Sequence, residues 1–216
     1  MPILSLTARR HVAALATVWL LLWTLAGGAS AQDDLYGPQA PTDVAYVRAV
    51  NAAERGGLGV RIADGVMEAL PFAGATAYVA VPPGPVRLDL GGHEVEVSAE
   101  VGAFLTVVAH EGGAWTIEDT PLRDASRGML ALYNLSDRSA LDLVVIDGPE
   151  VVTGVAPGEQ AAIAIAEAEV ALRVRSDEGD EIDLAPRLYE RGVAHAVFVV
   201  GDAEGLVVGY DASRLD

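Results

Sequence analysis

Outside the first thirty residues the chain carries three histidines, His93, His110 and His195, and these are its strongest candidates for proton transfer near neutral pH. An acyl-transfer nucleophile needs a hydroxyl, a base and an orienting acid, often with a glycine-rich turn that exposes the hydroxyl. No GxSxG, GDS or HxxxD arrangement is present. His195 lies between Ala194 and Ala196 in an apolar run, so it is expected to be buried or paired rather than to act as a base. An esterase or transferase would need Ser, His and Asp to converge on it from distant strands. His93 falls in the Gly91-Gly92-His93-Glu94 turn and His110 precedes Glu111-Gly112-Gly113; both are expected to face water.

Metal chemistry is equally poorly supplied. His93-Glu94 is followed by Val95-Glu96-Val97 instead of completing HExxH, and the chain has no cysteine, which excludes thiolate zinc sites and CxxCH haem attachment. The acidic run from Asp177 through Glu178, Asp180 and Glu181 to Asp183 is the best oxygen-ligand candidate, but it lacks EF-hand spacing and reads as a solvated turn. No catalytic residue, no metal and no cofactor is therefore expected. Among the aromatics, Trp115 is the candidate sugar platform, with packing at the end of a first domain as its expected role. Tyr46, Tyr78, Tyr133 and Tyr210 fall inside strands and are expected in the core.

The elements that position these residues read as strands. Runs of Val, Leu, Ile and Tyr, broken by Gly, Pro, Asp or Asn, predict strands at 44–51, 58–62, 77–81, 86–90, 94–98 and 103–109. A second set follows at 129–134, 141–146, 161–165, 170–174, 181–184, 194–200 and 206–210. Alternation such as Val86-Arg87-Leu88-Asp89-Leu90 puts one face in the core and the other in water. The Ala- and Glu-rich stretch 159–173 invites a helix, but its apolar residues recur every second position, so strands are expected there too.

The two sets align. Residues 47–51 match 130–134, 77–81 match 161–165, 85–90 match 169–174 and 102–108 match 192–198, the offset growing from 83 to 90. The fold class read from this is all-β: two tandem β-sandwich domains of similar topology, residues 44–117 and 128–216, joined by a polar linker at 118–127. Residues 32–43 form an extended lead-in. Residues 1–31 carry a basic start, a short apolar run and Ala29-Ser30-Ala31, the pattern of a cleaved secretory signal.

Loss of that segment leaves 185 of the 216 residues and shifts the formal charge from −17 to −19, since it removes Arg9 and Arg10 and no acid. All 14 basic residues are arginine. Nucleic acid and anionic membrane surfaces are poor partners for so acidic a chain, and no membrane insertion is expected after cleavage. With no disulfide, the exported fold must rest on burial alone.

The lead Asp34-Leu35-Tyr36-Gly37-Pro38-Gln39-Ala40-Pro41, followed by Tyr46-Val47-Arg48-Ala49-Val50-Asn51, resembles the mature start of the alginate biosynthesis protein AlgF family, with Tyr46 where that family usually has Phe. The resemblance implies a periplasmic accessory protein for O-acetylation of an exopolysaccharide, without an active site of its own. Its implied partners are a periplasmic SGNH-type O-acetyltransferase, a membrane-bound acyltransferase, or both, and the polysaccharide is a further candidate. Tyr36, Gly37, Pro38, Pro41, Arg48 and Asn51 are the matching positions and the candidate partner-binding residues; for Arg48 and Asn51 the competing reading is that they shape the first strand and its turn. The alternative function is a carbohydrate-binding pair that uses Trp115.

Overall fold

A computed structural model describes residues 41, 43–53, 55–202 and 205–214. Those read as signal peptide, and Tyr36, Gly37 and Pro38 of the lead-in, lie outside the described residues. Among the described residues there is no helix, and none is therefore long and apolar enough to cross a membrane.

The first eight strands are β1 (Ala45–Asn51), β2 (Leu58–Ile62), β3 (Glu68–Leu70), β4 (Val79–Val81), β5 (Gly84–Leu90), β6 (His93–Ala99), β7 (Phe104–His110) and β8 (Gly113–Glu118). They form two four-stranded sheets, β4-β1-β7-β8 and β3-β2-β5-β6. The next eight are β9 (Gly128–Leu135), β10 (Leu141–Val145), β11 (Glu150–Val155), β12 (Gln160–Ile165), β13 (Ala168–Ser176), β14 (Glu181–Tyr189), β15 (Ala194–Asp202) and β16 (Gly205–Ser213). Their sheets, β12-β9-β15-β16 and β11-β10-β13-β14, repeat the first arrangement strand for strand. Among the described residues the only parallel pair in each half joins the first strand to the seventh, β1 with β7 and β9 with β15.

The repeat extends to single hydrogen bonds. Gly102 N–H donates to Val44 O as Gly192 N–H donates to Arg127 O, and both glycines sit at positive φ (74° and 67°) in the turn before the seventh strand. The stretch 159–173 holds two strands, as its period of two requires: β12 pairs with β9, and β13 with β10.

The sequence reading needs correction at several points. It misses β3, β8 and β11, which are short or rich in Gly, Glu and Thr. It also ends β14 at 184, whereas the strand runs on through Pro186 to Tyr189 because it lies at a sheet edge, where proline costs no ladder hydrogen bond. The expectation of one wet face fails for the inner sheets. Ala45, Val47 and Ala49 of β1 pack into the core of the first sandwich, while Val50 joins a separate cluster with Tyr133, Leu135, Phe198 and Val200 of the second half. Likewise Leu130 and Leu132 face the second sandwich core, and Ala131 and Tyr133 face back toward the first half. The result is four β-layers with three apolar seams. The inner strands read as unbroken apolar runs because both faces are covered.

Asn51 and Asn134, wholly buried at matching positions, lock the two layers of each half together. Asn51 Nδ2 donates to Leu70 O at the end of β3 (3.1 Å), and its Oδ1 accepts Ala53 N–H (3.0 Å). Asn134 Nδ2 donates to Val155 O at the end of β11 (2.9 Å), and its Oδ1 accepts Ser136 N–H (3.1 Å). Replacing either by Ala takes the side-chain partner from a buried carbonyl and from a backbone amide, so Asn51→Ala and Asn134→Ala should each lose about 1–3 kcal/mol in urea unfolding.

Candidate functional site

Strand β1 carries Arg48 into the middle of the seam between the halves, where the residue is 2 % exposed. A guanidinium there must find acceptors or forfeit its hydration uncompensated. Its Nε donates to Thr106 Oγ1 on β7 (2.8 Å), Nη2 to the Tyr133 hydroxyl on β9 (2.8 Å) and Nη1 to Asp211 Oδ2 on β16 (3.3 Å). The rings of Tyr78, Phe198 and Tyr133 lie 4.5, 4.9 and 5.2 Å from its central carbon, so the cation is also held over aromatic faces.

A second hub is Asp119, one residue beyond β8 and 5 % exposed. Its Oδ1 accepts from the Tyr133 hydroxyl (2.7 Å), and its Oδ2 accepts from Tyr78 (2.7 Å) and Thr106 (2.6 Å). Tyr133 and Thr106 thus each accept from Arg48 and donate to Asp119, bridging cation to carboxylate. Burial opposes the Arg48 charge, but Tyr133, Tyr78, Asp119 and Asp211 outweigh it and hold the proton above the ordinary arginine value. Burial likewise pushes the Tyr78 and Tyr133 phenols well above theirs, so both remain donors.

The second half holds a separate polar group. His195, also 2 % exposed, accepts the Glu190 N–H at Nε2 (3.1 Å), and its Nδ1 lies 2.5 Å from the Tyr210 hydroxyl. With Nε2 accepting, the proton of the neutral ring belongs on Nδ1, which donates to Tyr210. Burial holds His195 below its ordinary value. The Arg187 guanidinium stacks 3.4 Å from the Tyr210 ring, and burial pushes the neighbouring Tyr189 phenol up to about 12. His195 is therefore paired and buried, with no serine hydroxyl hydrogen-bonded to it among the described residues.

The remaining candidates are placed as follows. Pro41 is exposed, and its carbonyl accepts the Tyr46 hydroxyl (3.0 Å). Arg48 and Asn51 are internal, so any effect they have on a partner passes through the fold they hold. His93 opens β6 and is exposed. His110 is half-buried rather than fully solvated: its ring packs 4.6 Å from Trp115, and its Nδ1 accepts Gly112 N–H (3.1 Å). Trp115 packs into the seam between the halves instead of standing out as a platform. The acidic run 177–183 spans the β13–β14 turn and the first residues of β14, with its carboxylates engaged by neighbours: Asp180 with Arg138 (2.6 Å) and Ser176, Asp183 with Arg173, Asp177 with Ser139.

Sequence reasoning did not find Thr106, Asp119 or Asp211 as partners of Arg48. The signal was present in one form: an arginine at an inward position of an otherwise apolar strand demands a buried counter-charge.

The fold and this centre define a class: a double β-sandwich protein whose two halves are joined through a buried charge cluster. The chain belongs to the AlgF family: the family described as "Alginate O-acetyl transferase AlgF" matches residues 17–196. It is 29 % identical to the alginate biosynthesis protein AlgF of Pseudomonas aeruginosa over 196 residues, 89 % of this chain and 90 % of that one. To the AlgF of Pseudomonas syringae pv. tomato it is 28 % identical over 174 residues, 80 % and 78 % of the two chains. Among solved structures it is similar to the C-terminal domain of P. aeruginosa AlgF, with 26 % identity and a TM-score of 0.38, covering 41 % of this chain and 99 % of that one. The N-terminal domain of the same protein gives 25 % and 0.33, covering 38 % and 100 %.

Two outcomes follow. Arg48→Met leaves Asp119 and Asp211 without their cation and should cost about 3–5 kcal/mol in urea unfolding, with Arg48→Lys recovering little because a point charge cannot serve the three acceptors of a planar fork. As pH falls below the ordinary histidine value of 6.5, the unfolded chain takes up the His195 proton before the folded one does. Folding stability is therefore undiminished by this group above that pH and declines below it, and His195→Gln should flatten the decline.

Proposed function

We propose that this chain is a non-catalytic accessory protein, exported by a cleaved signal to the periplasm, that serves O-acetylation of alginate or another exopolysaccharide as an adaptor between acetylation enzymes. Membership of the AlgF family over residues 17–196 carries this reading. The geometry supports the non-catalytic part, since the side chains best able to do chemistry, Arg48, Asp119 and His195, are engaged in holding the fold.

Its charge bears on the choice of partner. Alginate is a polyanion, and a chain with 31 acidic and 14 basic residues repels it within a Debye length of about 8 Å at physiological salt. Arginines at the surface are in large part paired already: exposed Arg61 with Asp89, Arg87 with Glu96 and Arg214 with Glu190, and half-buried Arg173 with Glu181 and Asp183, Arg175 with Glu150 and Asp142, Arg138 with Asp137, Glu178 and Asp180. Protein partners with basic surfaces, such as an SGNH-type O-acetyltransferase or a membrane-bound acyltransferase, suit this surface better than the polymer does. The half-buried Trp115 likewise favours the adaptor over a carbohydrate-binding pair.

The test is to recover the tagged mature chain from envelope extract and identify what it retains by mass spectrometry. An acyltransferase or SGNH-type enzyme is expected. Retention of glycan alone would replace the adaptor by the binding-module reading.

A further inference from the structure

The seam between the halves is reciprocal. Matching backbone bonds set the correspondence: Ala73 N–H to Asn51 O and Gly158 N–H to Asn134 O, both 2.8 Å, make Gly158 the counterpart of Ala73, and both residues have positive φ (61° and 76°). Trp115 pairs with Val108 as Gly209 pairs with Phe198, and β7 and β15 are counterparts, so Trp115 corresponds to Gly209. A Cβ on Gly209 would lie 1.8 Å from the Ala73 carbonyl oxygen, and one on Gly158 would lie 4.0 Å from Trp115 Nε1. The turn of the first half thus meets the last strand of the second, while the same turn of the second half meets the same strand of the first. Contacts that exchange in this way are those of an isologous twofold interface.

Against that symmetry the Arg48 centre stands alone. Register makes Ala131 the counterpart of Arg48, Ala196 of Thr106 and Val50 of Tyr133. On the last strands, Ile117 corresponds to Asp211 and Ser213 to Asp119. One side of the seam is therefore a charge cluster and the other carries no charge.

We infer that the two halves dock as a pseudo-homodimer about a local twofold axis, and that the Arg48 centre restricts this surface to one kind of partner, the opposite half, in the same chain or in a second copy. Two first halves would set each Arg48 against Val50 and Ile117 in place of Tyr133 and Asp211. Two second halves would set the half-buried Asp211 against Ala131, with no cation. The first pairing takes two of its acceptors from the buried Arg48 and the second takes its cation from Asp211, whereas the unlike pairing satisfies both.

The experiment refolds the mature full-length chain from urea over a wide range of protein concentration and reads its mass distribution by sedimentation velocity. The wild type is expected to return as monomer throughout. The triple variant Arg48→Met, Asp119→Ser, Asp211→Ile gives the charged side the character of its uncharged counterpart. It is expected to unfold at a urea midpoint no lower than that of the Arg48→Met single variant, and to yield dimers and larger species that grow with concentration. A triple variant that folds and remains monomeric over the whole range overturns the inference. Should the triple variant not fold, Asp211→Ile decides. It keeps Arg48, Asp119 and their bridging hydroxyls, yet presents Arg48 with the isoleucine that another first half would present. Concentration-dependent dimers in it support the inference, and a monomer at every concentration overturns it.

Discussion

A guanidinium sealed from water is stable only where acceptors have been arranged around it beforehand, and Arg48 sets that condition for the rest of the molecule. Its acceptors come from four places: β7 through Thr106, β9 through Tyr133, β16 through Asp211 and, by way of the bridging hydroxyls, the residue after β8 through Asp119. Two of these belong to the second half. The first half therefore cannot satisfy its own arginine, and the two sandwiches, each with a complete apolar core, are held as one four-layered body by a requirement that neither core imposes.

Much of the architecture was legible because strand punctuation and a period of two are local signals. The rejected helix at 159–173 shows this: Ile163 and Ile165 can line one face only in an extended chain, and they pack on the second core. What covers the other face of a strand is not a local property. The run from Ala45 to Val50 reads alike with water or another sheet above Tyr46 and Val50, so the seam was invisible. For the same reason Arg48 was singled out by family resemblance while its partners were not, since Tyr133 and Asp211 lie 85 and 163 residues away. Asp119 was hidden further by its setting, a polar stretch read as linker. The short strands β3, β8 and β11 were lost because glycine, glutamate and threonine in runs of three to six residues look like turn.

The duplication also clarifies which residues are architectural. Asn51 and Asn134 do the same work at the same place in both halves, which marks them as part of the sandwich itself. Arg48, Asp119 and His195 have no polar twin of the same kind: their counterparts are Ala131, Ser213 and Leu105. Divergence between the copies has thus gone into buried polar groups while the apolar frame and its turns were kept. The ion pairs on the outer sheet, such as Arg173 with Asp183, are exposed and add little to stability; their effect is on what the surface presents to other molecules.

Four stacked sheets have a geometric consequence of their own. Facing sheets lie roughly 10 Å apart, so the two outermost, β3-β2-β5-β6 and β11-β10-β13-β14, are held roughly 30 Å from each other with their outer surfaces turned in opposite directions. Because the middle seam is closed by charge as well as by apolar contact, that span does not vary as a tethered pair of domains would. The spacing of the two outer surfaces of the described residues is set by sheet packing rather than by a linker.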